Sequence, residues 1–276
     1  MNEKLIIMSI FFGFAILELV TGKFIHKNKS SLKDVIIELA ATSMILAITV
    51  PGIIWASSSI GDNYFPHLKN QWSDWGWPAM FLMFILCDDL VQYWWHRTCH
   101  KPFLYGLHRA HHSAKYMSIR VVYRNNIFYY MIMPNLWLTG FLIYFGLFEV
   151  YPIYLIIKMS IIFGAHSSLP WDRVLHSKPW LSPLGWIVER VISTPSTHHA
   201  HHGMYIEDGV TNYKGNYGNM LFIWDMIFKT AHITRKYPEQ YGIENLEDSS
   251  WQQELFWPLI NNTSNQVNNE NVTKPE

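Results

Sequence analysis

The chain has 276 residues, half of them apolar, with 13 Trp, 15 Tyr and 16 Phe but only 15% charged residues; that length suits one large domain or two small ones. Its 21 basic and 21 acidic side chains balance, leaving no excess charge for a nucleic-acid surface or an acidic partner. Two cysteines, Cys87 and Cys99, cannot build a disulfide framework and read as small buried apolar residues.

Apolar runs come first along the chain. Residues 5–20 and 35–56 could each cross a bilayer core, which takes about 20 apolar residues. The first run lacks a strongly basic start and a small-residue cleavage site, so it reads as a retained span rather than a signal peptide. Residues 78–95 and 127–148 are similar, and 151–164 is shorter. Lys23, Lys27, Lys29 and Lys33 follow the first run, whereas residues 62–76 carry one lysine against two aspartates. Lysine-rich loops stay in the cytoplasm, which predicts the first loop inside and the second outside. The third run then returns to the cytoplasm, where Arg97, Lys101, Arg109, Lys115, Arg120 and Arg124 lie. The last two runs make a hairpin whose outer turn is near Glu149, and the chain beyond about Ala165 is again cytoplasmic. Residues 170–258 are more polar, punctuated by Pro170, Pro179, Pro183 and Pro195, and read as a cap of helices and loops. The Asn-rich end has too few bulky apolar residues to order itself. The predicted fold is all-α: an integral membrane helical bundle of four or five spans with a cytoplasmic, histidine-rich helical cap. Its parts are a two-span region at 1–76, a catalytic domain at 77–258 and a disordered polar tail at 259–276.

Most of the 14 histidines fall into three clusters. They are His96-Arg-Thr-Cys-His100, His108-Arg-Ala-His111-His112 and His198-His199-Ala-His201-His202. Residues three and four apart share a helix face, so each cluster can aim two or three imidazoles at one point. Neutral imidazole suits iron, zinc, copper and nickel, and eight histidines so spaced are what two metal ions need. A disordered metal-storage tract would interleave its histidines with Gly or Ser, whereas these stand among Trp, Tyr and Leu. In the third cluster, helical geometry accepts either His198, His201 and His202 or His198, His199 and His202. The second cluster looks like a copy of the third and has Arg109 where the third has His199. Arginine cannot ligate a cation. If both copies bind alike, the ligands are His198, His201 and His202.

Around the clusters, Asp89, Tyr93, His96 and His100 form one helical stripe. Asp89 is expected to accept the second N–H of a metal-bound imidazole, with direct ligation as the less favoured alternative; Asp88, on another azimuth, has no assigned role. His166 follows the hairpin at the membrane level of the clusters and reads as a further ligand. His26, His67, His176 and His232 lie outside any ligand-spaced group, and Lys158 has no assigned role.

Asp89-x6-His96-Arg-x-x-His100, followed by His108-x-x-His111-His112-Ser113, resembles the fatty acid hydroxylase and sterol desaturase superfamily of integral-membrane, histidine-motif oxygenases. So do Thr194-Pro195-Ser196-x-His198-x-x-His201-His202-Gly203 and Asn216-Tyr217-Gly218 with Ile223-Trp224-Asp225-x-x-Phe228. The likeness covers roughly residues 81–230. It implies a non-haem di-iron site built almost wholly of imidazoles, with His166 as the superfamily's extra histidine, and hydroxylation or desaturation of a lipid C–H bond. The Thr194-Pro195-Ser196 segment looks most like alkylglycerol-monooxygenase-type members. Lys229 stands where a glycine is usual and Ser168 where an asparagine is frequent.

Attack on an unactivated C–H bond needs a redox-active metal, which favours two iron ions over zinc, although zinc could occupy the site in isolated protein. No nucleotide fingerprint or haem-attachment motif is present, so electrons are expected from a ferredoxin, a cytochrome or a reduced pterin, with O2 and a membrane lipid as the other partners. A lipid desaturase would use the same site. A metal transporter would hold its histidines near the bilayer midplane on broken helices, and a zinc protease of the His-Glu-x-x-His type lacks its motif here.

Overall fold

The computed structural model describes residues 3–26, 28–246 and 249–260. The predicted tail lies, from residue 261, outside the described residues. Among the described residues the fold is all-helical, with two isolated bridges, Ile192 to Leu221 and Gly203 to Tyr241, and no strand.

α1 (Glu3–Val20) is followed by α2 (Leu32–Met44) and α3 (Val50–Tyr64), which a π-helical turn at Ile45–Thr49 joins into one rod. The turn precedes Pro51, whose missing N–H and ring an unbroken α-helix would not accommodate. The rod of 33 residues, Leu32–Tyr64, and the stretch Ile127–Tyr144 are each long and apolar enough to cross a membrane. Their most apolar windows are only 33% and 39% buried, so most of that surface faces outward, as lipid contact requires. The second stretch comprises α7 (Ile127–Met131) and α8 (Pro134–Tyr144), parted just before Pro134. α4 (Trp77–Met83) and α5 (Asp89–Cys99) are again joined by a π-helical turn, Phe84–Asp88. α6 is Pro102–His112 and α9 is Tyr151–His166. The chain goes on through α10 (Asp172–His176), α11 (Ser182–Val191), α12 (Pro195–His201), α13 (Ile223–Ile227) and α14 (Trp251–Phe256).

α3 and α8 approach through small residues: a methyl at Gly140 would lie 2.4 Å from Ser57 Oγ, and one at Gly61 2.5 Å from the Tyr144 ring. α1 packs on α9, with Phe11 edge-on to Phe163. Glu18, fully buried at the end of α1, accepts from Ser118 Oγ, Ser167 Oγ and the Ile119 and Ser168 N–H groups. That carboxylate fastens α1 to the segment immediately after His166.

Asp88 and Asp89, at the junction of the π turn and α5, are both buried, 1% and 2% exposed, although neighbours on a helix point about 100° apart. Asp88 binds Lys158 of α9 and the Tyr154 hydroxyl, and accepts from Thr139 Oγ1 (2.7 Å) and Asn135 Nδ2 (3.2 Å). The azimuth argument that left Asp88 without a role is therefore corrected, and Lys158 has its partner. In an apolar interior either charge is costly without the other.

Candidate metal centre

α5 presents His96 on its buried face and ends with His100 as its C-cap, and α6, started by Pro102, brings back His108, His111 and His112. α9 ends in His166, while α12 carries His198 and His201 and is capped by His202. Thr194 has the extended backbone of an N-cap, its N–H donates to Thr197 Oγ1 at 3.0 Å, and Pro195 occupies the first helical turn. The Thr-Pro-Ser segment thus works as a helix start that aims the third cluster.

The nine predicted ligands fall into two groups. One holds His96, His100, His108, His112 and His201, the other His111, His166, His198 and His202; within each group the candidate ligand atoms lie within 4.8 Å of one another. Apart from the half-buried His100, none of the nine is more than 4% exposed.

Ring orientation carries the chemistry. His96 Nδ1 lies 2.7 Å from the Tyr217 carbonyl, His201 Nδ1 2.7 Å from that of Gly215, and His166 Nδ1 2.9 Å from that of Ile162. A carbonyl only accepts, so these rings carry their proton on Nδ1 and leave a bare lone pair on Nε2. His108 Nδ1 is held in the same way by Asn125 Oδ1 at 2.8 Å, with the amide oriented by donation from Asn125 Nδ2 to Tyr130. Nε2 of His96 then faces Nε2 of His201 at 3.0 Å, and His198 Nε2 faces His166 Nε2 at 2.9 Å with His111 Nε2 3.5 Å from the latter. The Nε2 atoms of His100, His108, His112 and His202 are buried with no partner among the described residues. Facing lone pairs repel unless a cation stands between them. Two nitrogens about 2.1 Å from one ion and at right angles would be about 3.0 Å apart.

A proton does not fill that role. Burial drives His96 down to about 4 and His166 to about 3. Burial, then repulsion between neighbouring rings, holds His100, His108, His111, His112, His198, His201 and His202 well below the usual histidine value. The rings are neutral, the form that ligates metal.

The other histidines stand apart. His199 lies between the Tyr241 hydroxyl (3.0 Å from Nδ1) and the Ser167 carbonyl (3.0 Å from Nε2), so neither nitrogen is free. His26 stacks on Tyr116, His176 meets Glu189 at 3.2 Å and His232 lies near the Gly209 carbonyl, while His67 belongs to neither group.

Asp89 does not do what its position on the stripe led us to expect. Its Oδ2 accepts from Trp224 Nε1 (2.8 Å) and the Leu221 N–H (3.1 Å), and no histidine is among its partners. The imidazole N–H groups go instead to carbonyls and to Asn125. Asp89 acts at one remove, holding the segment around α13. Asp225, from the same segment, accepts from the Tyr217 and Gly218 N–H groups at 2.9 and 2.7 Å and so fixes the carbonyl that orients His96.

Lys229, at the superfamily's glycine position, has φ +57°, a left-handed conformation that a β-carbon disfavours. Lys229→Gly is expected to raise stability by up to about 1 kcal/mol, the relief of left-handed strain less the extra freedom of glycine in the unfolded chain, seen as a melting midpoint a few degrees higher. A lower midpoint would mean that the lysine side chain outweighs the backbone strain.

The fatty acid hydroxylase model matches residues 81–230, a stretch that contains all nine candidate ligands. The chain is 28% identical over 237 residues to the alkylglycerol monooxygenase of Danio rerio, covering 80% of this chain and 46% of that protein. It is 26% identical over 240 residues to that of Caenorhabditis elegans (81% and 41%), and 29% identical over 166 residues to that of Homo sapiens (57% and 31%). The chain thus spans less than half the length of these curated relatives. No solved structure matches it. The family match covers more than half of the chain, and the chain belongs to the fatty acid hydroxylase family.

Proposed function

We propose that the protein is a membrane-bound, non-haem oxygenase that hydroxylates a lipid C–H bond with O2 at two histidine-ligated iron ions. The observation that carries this reading is the set of facing, unprotonated Nε2 atoms in two adjacent groups. His96, His100, His108, His112 and His201 would hold one ion, and His111, His166, His198 and His202 the other. Iron so bound would supply the redox chemistry for an unactivated C–H bond, which zinc cannot. The protein's own part is to keep the imidazoles neutral by burial, to lock their tautomers through the Tyr217, Gly215 and Ile162 carbonyls and Asn125, and to exclude water. The family and the relatives' names favour a lipid with a fatty acyl, alkyl or sterol-like chain, and alkylglycerols are the first to try. Lysine-rich loops favour a multi-pass chain with this site at the cytoplasmic boundary, reached by lipid from the bilayer and by a ferredoxin, cytochrome or reduced pterin from water.

Protein purified without chelators is expected to carry close to two metal ions per chain, and added iron to restore turnover. A product heavier by one oxygen supports the hydroxylase; loss of two hydrogens would make the chain a desaturase. Full activity with zinc alone, or no bound metal, would overturn the oxygenase reading.

A further inference from the structure

Behind the second histidine group lies a cavity of ≈ 260 Å³ whose lining includes Lys23, Lys29, Arg173, His26, Ser168 and Tyr241, and no carboxylate among the described residues. Its chemistry is one-sided. Three permanent cations face it, and both His26 Nε2 and Ser168 Oγ are buried without a partner. Two acids bonded to its lining residues, Asp172 to Tyr237 and Glu18 to the Ser168 N–H, have further donors of their own. Asp172 accepts from Tyr237 and, at 2.9 Å, from the Ser196 N–H; Glu18 takes four donors.

The wall is built rather than loose. Arg120 donates to the Phe24 carbonyl at 3.0 Å and to Glu38 at 2.9 Å, which pins the segment carrying Lys23 and His26. His26 stacks on Tyr116 with ring centres 4.8 Å apart and is held at φ +47°. Arg173 lies over the Tyr237 ring, 4.6 Å from its centre. Next to this cavity, and sharing His26 with it, is an apolar hollow of ≈ 320 Å³ lined by Leu19, Gly22, Phe24 and Ile25.

We propose that the polar cavity binds a phosphoryl anion, either the headgroup phosphate of a lipid or a free phosphate ester. Two lysines, a guanidinium and the unpartnered Ser168 hydroxyl approach from several sides, which suits the oxygens of a phosphoryl group better than the two coplanar oxygens of a carboxylate. The adjoining apolar hollow favours the lipid: one neighbour takes charge, the other hydrocarbon. The site is separate from the metal groups but touches their frame, because His199 lines it and bonds the carbonyl of Ser167, the residue after His166. This inference does not depend on the oxygenase reading.

The test uses the full chain in dodecyl maltoside micelles, with binding followed by native mass spectrometry. The probes are phosphatidic acid, diacylglycerol with the same chains, glycerol 3-phosphate and inorganic phosphate. Phosphatidic acid is expected to bind at least about tenfold tighter than diacylglycerol, and Lys23→Ser combined with Arg173→Ser to erase that preference at unchanged metal content. Binding of phosphatidic acid without the soluble phosphates supports the site and assigns it to lipid. Binding of glycerol 3-phosphate or inorganic phosphate, lost in the same double variant, supports it and assigns it to a soluble ester. Equal binding of phosphatidic acid and diacylglycerol with no binding of either soluble phosphate would overturn the proposal. So would a preference for phosphate that survives the double variant.

Discussion

His201→Ala is expected to lose bound metal and at least about a hundredfold in product formation, whereas His199→Gln keeps its metal and most of its activity. The two residues are neighbours in one cluster but do different work. His201 donates from Nδ1 to the Gly215 carbonyl and turns Nε2 toward His96 Nε2. Removing it leaves an opened ligand set and an orphaned carbonyl. His199 spends both nitrogens on Ser167 and Tyr241, and a glutamine amide can donate to the first and accept from the second. Arginine at 199 is not a safe substitute, although Arg109 fills the matching position of the second cluster. Arg109 is partly exposed and pairs with Glu254 at 3.3 Å; His199 is 3% exposed, and burial already drives its ring down to about 4. A guanidinium there would be a buried charge whose nearby acid, Asp172, is already bonded to Tyr237 and the Ser196 N–H. Metal analysis beside product assay decides the point. Equal loss in His201→Ala and His199→Gln would mean that His199 ligates or that both act only through folding.

The histidine pattern was legible because helix geometry is local: spacings of three and four place side chains on one face whatever surrounds them. Helix geometry alone did not separate His199 from His201; Arg109 at the matching position of the second cluster did, because arginine cannot ligate a cation. His166 could be read from its level along the last apolar run. What could not be read were groups with no side-chain signature. The acceptors for His96, His201 and His166 are main-chain carbonyls, which look the same at every residue, so the search for an orienting acid settled on Asp89 and missed them. Glu18 and Glu38 were passed over because their partners lie far along the chain, 100 residues away for Ser118 and 78 for Tyr116. The predicted run at 127–148 also proved less regular than its hydropathy: α7 stops before Pro134, and Gly146 turns with φ +115°.

Asp88 escapes a single-stripe reading because its helix is buried on more than one side, Asp89 against Leu221 and Trp224 and Asp88 against Lys158 and Thr139, and the Asp88–Lys158 pair carries the second large prediction. Lys158→Met is expected to destabilise the protein by about 3–5 kcal/mol, because it leaves a carboxylate 1% exposed with no countercharge. In a chain of this size that corresponds to a melting midpoint lower by roughly 10 °C. The double variant Asp88→Asn, Lys158→Met is expected to recover most of the loss. Its asparagine stays neutral, still offers an oxygen to Thr139 and Asn135, and can donate an amide N–H to the Tyr154 hydroxyl, the three groups that now bind Asp88. The pair also bears on the metal centre, since Asp88 ends the π turn and α5, which carries His96 and His100, begins at the next residue. Loosening the pair should let the start of α5 drift, so metal content should fall in the single variant and return in the double one. If Lys158→Met melts like the unaltered protein, Asp88 is not held as a buried ion-paired carboxylate. If the double variant is no more stable than Lys158→Met, the lysine contributes through its packing and hydrogen bonds rather than its charge.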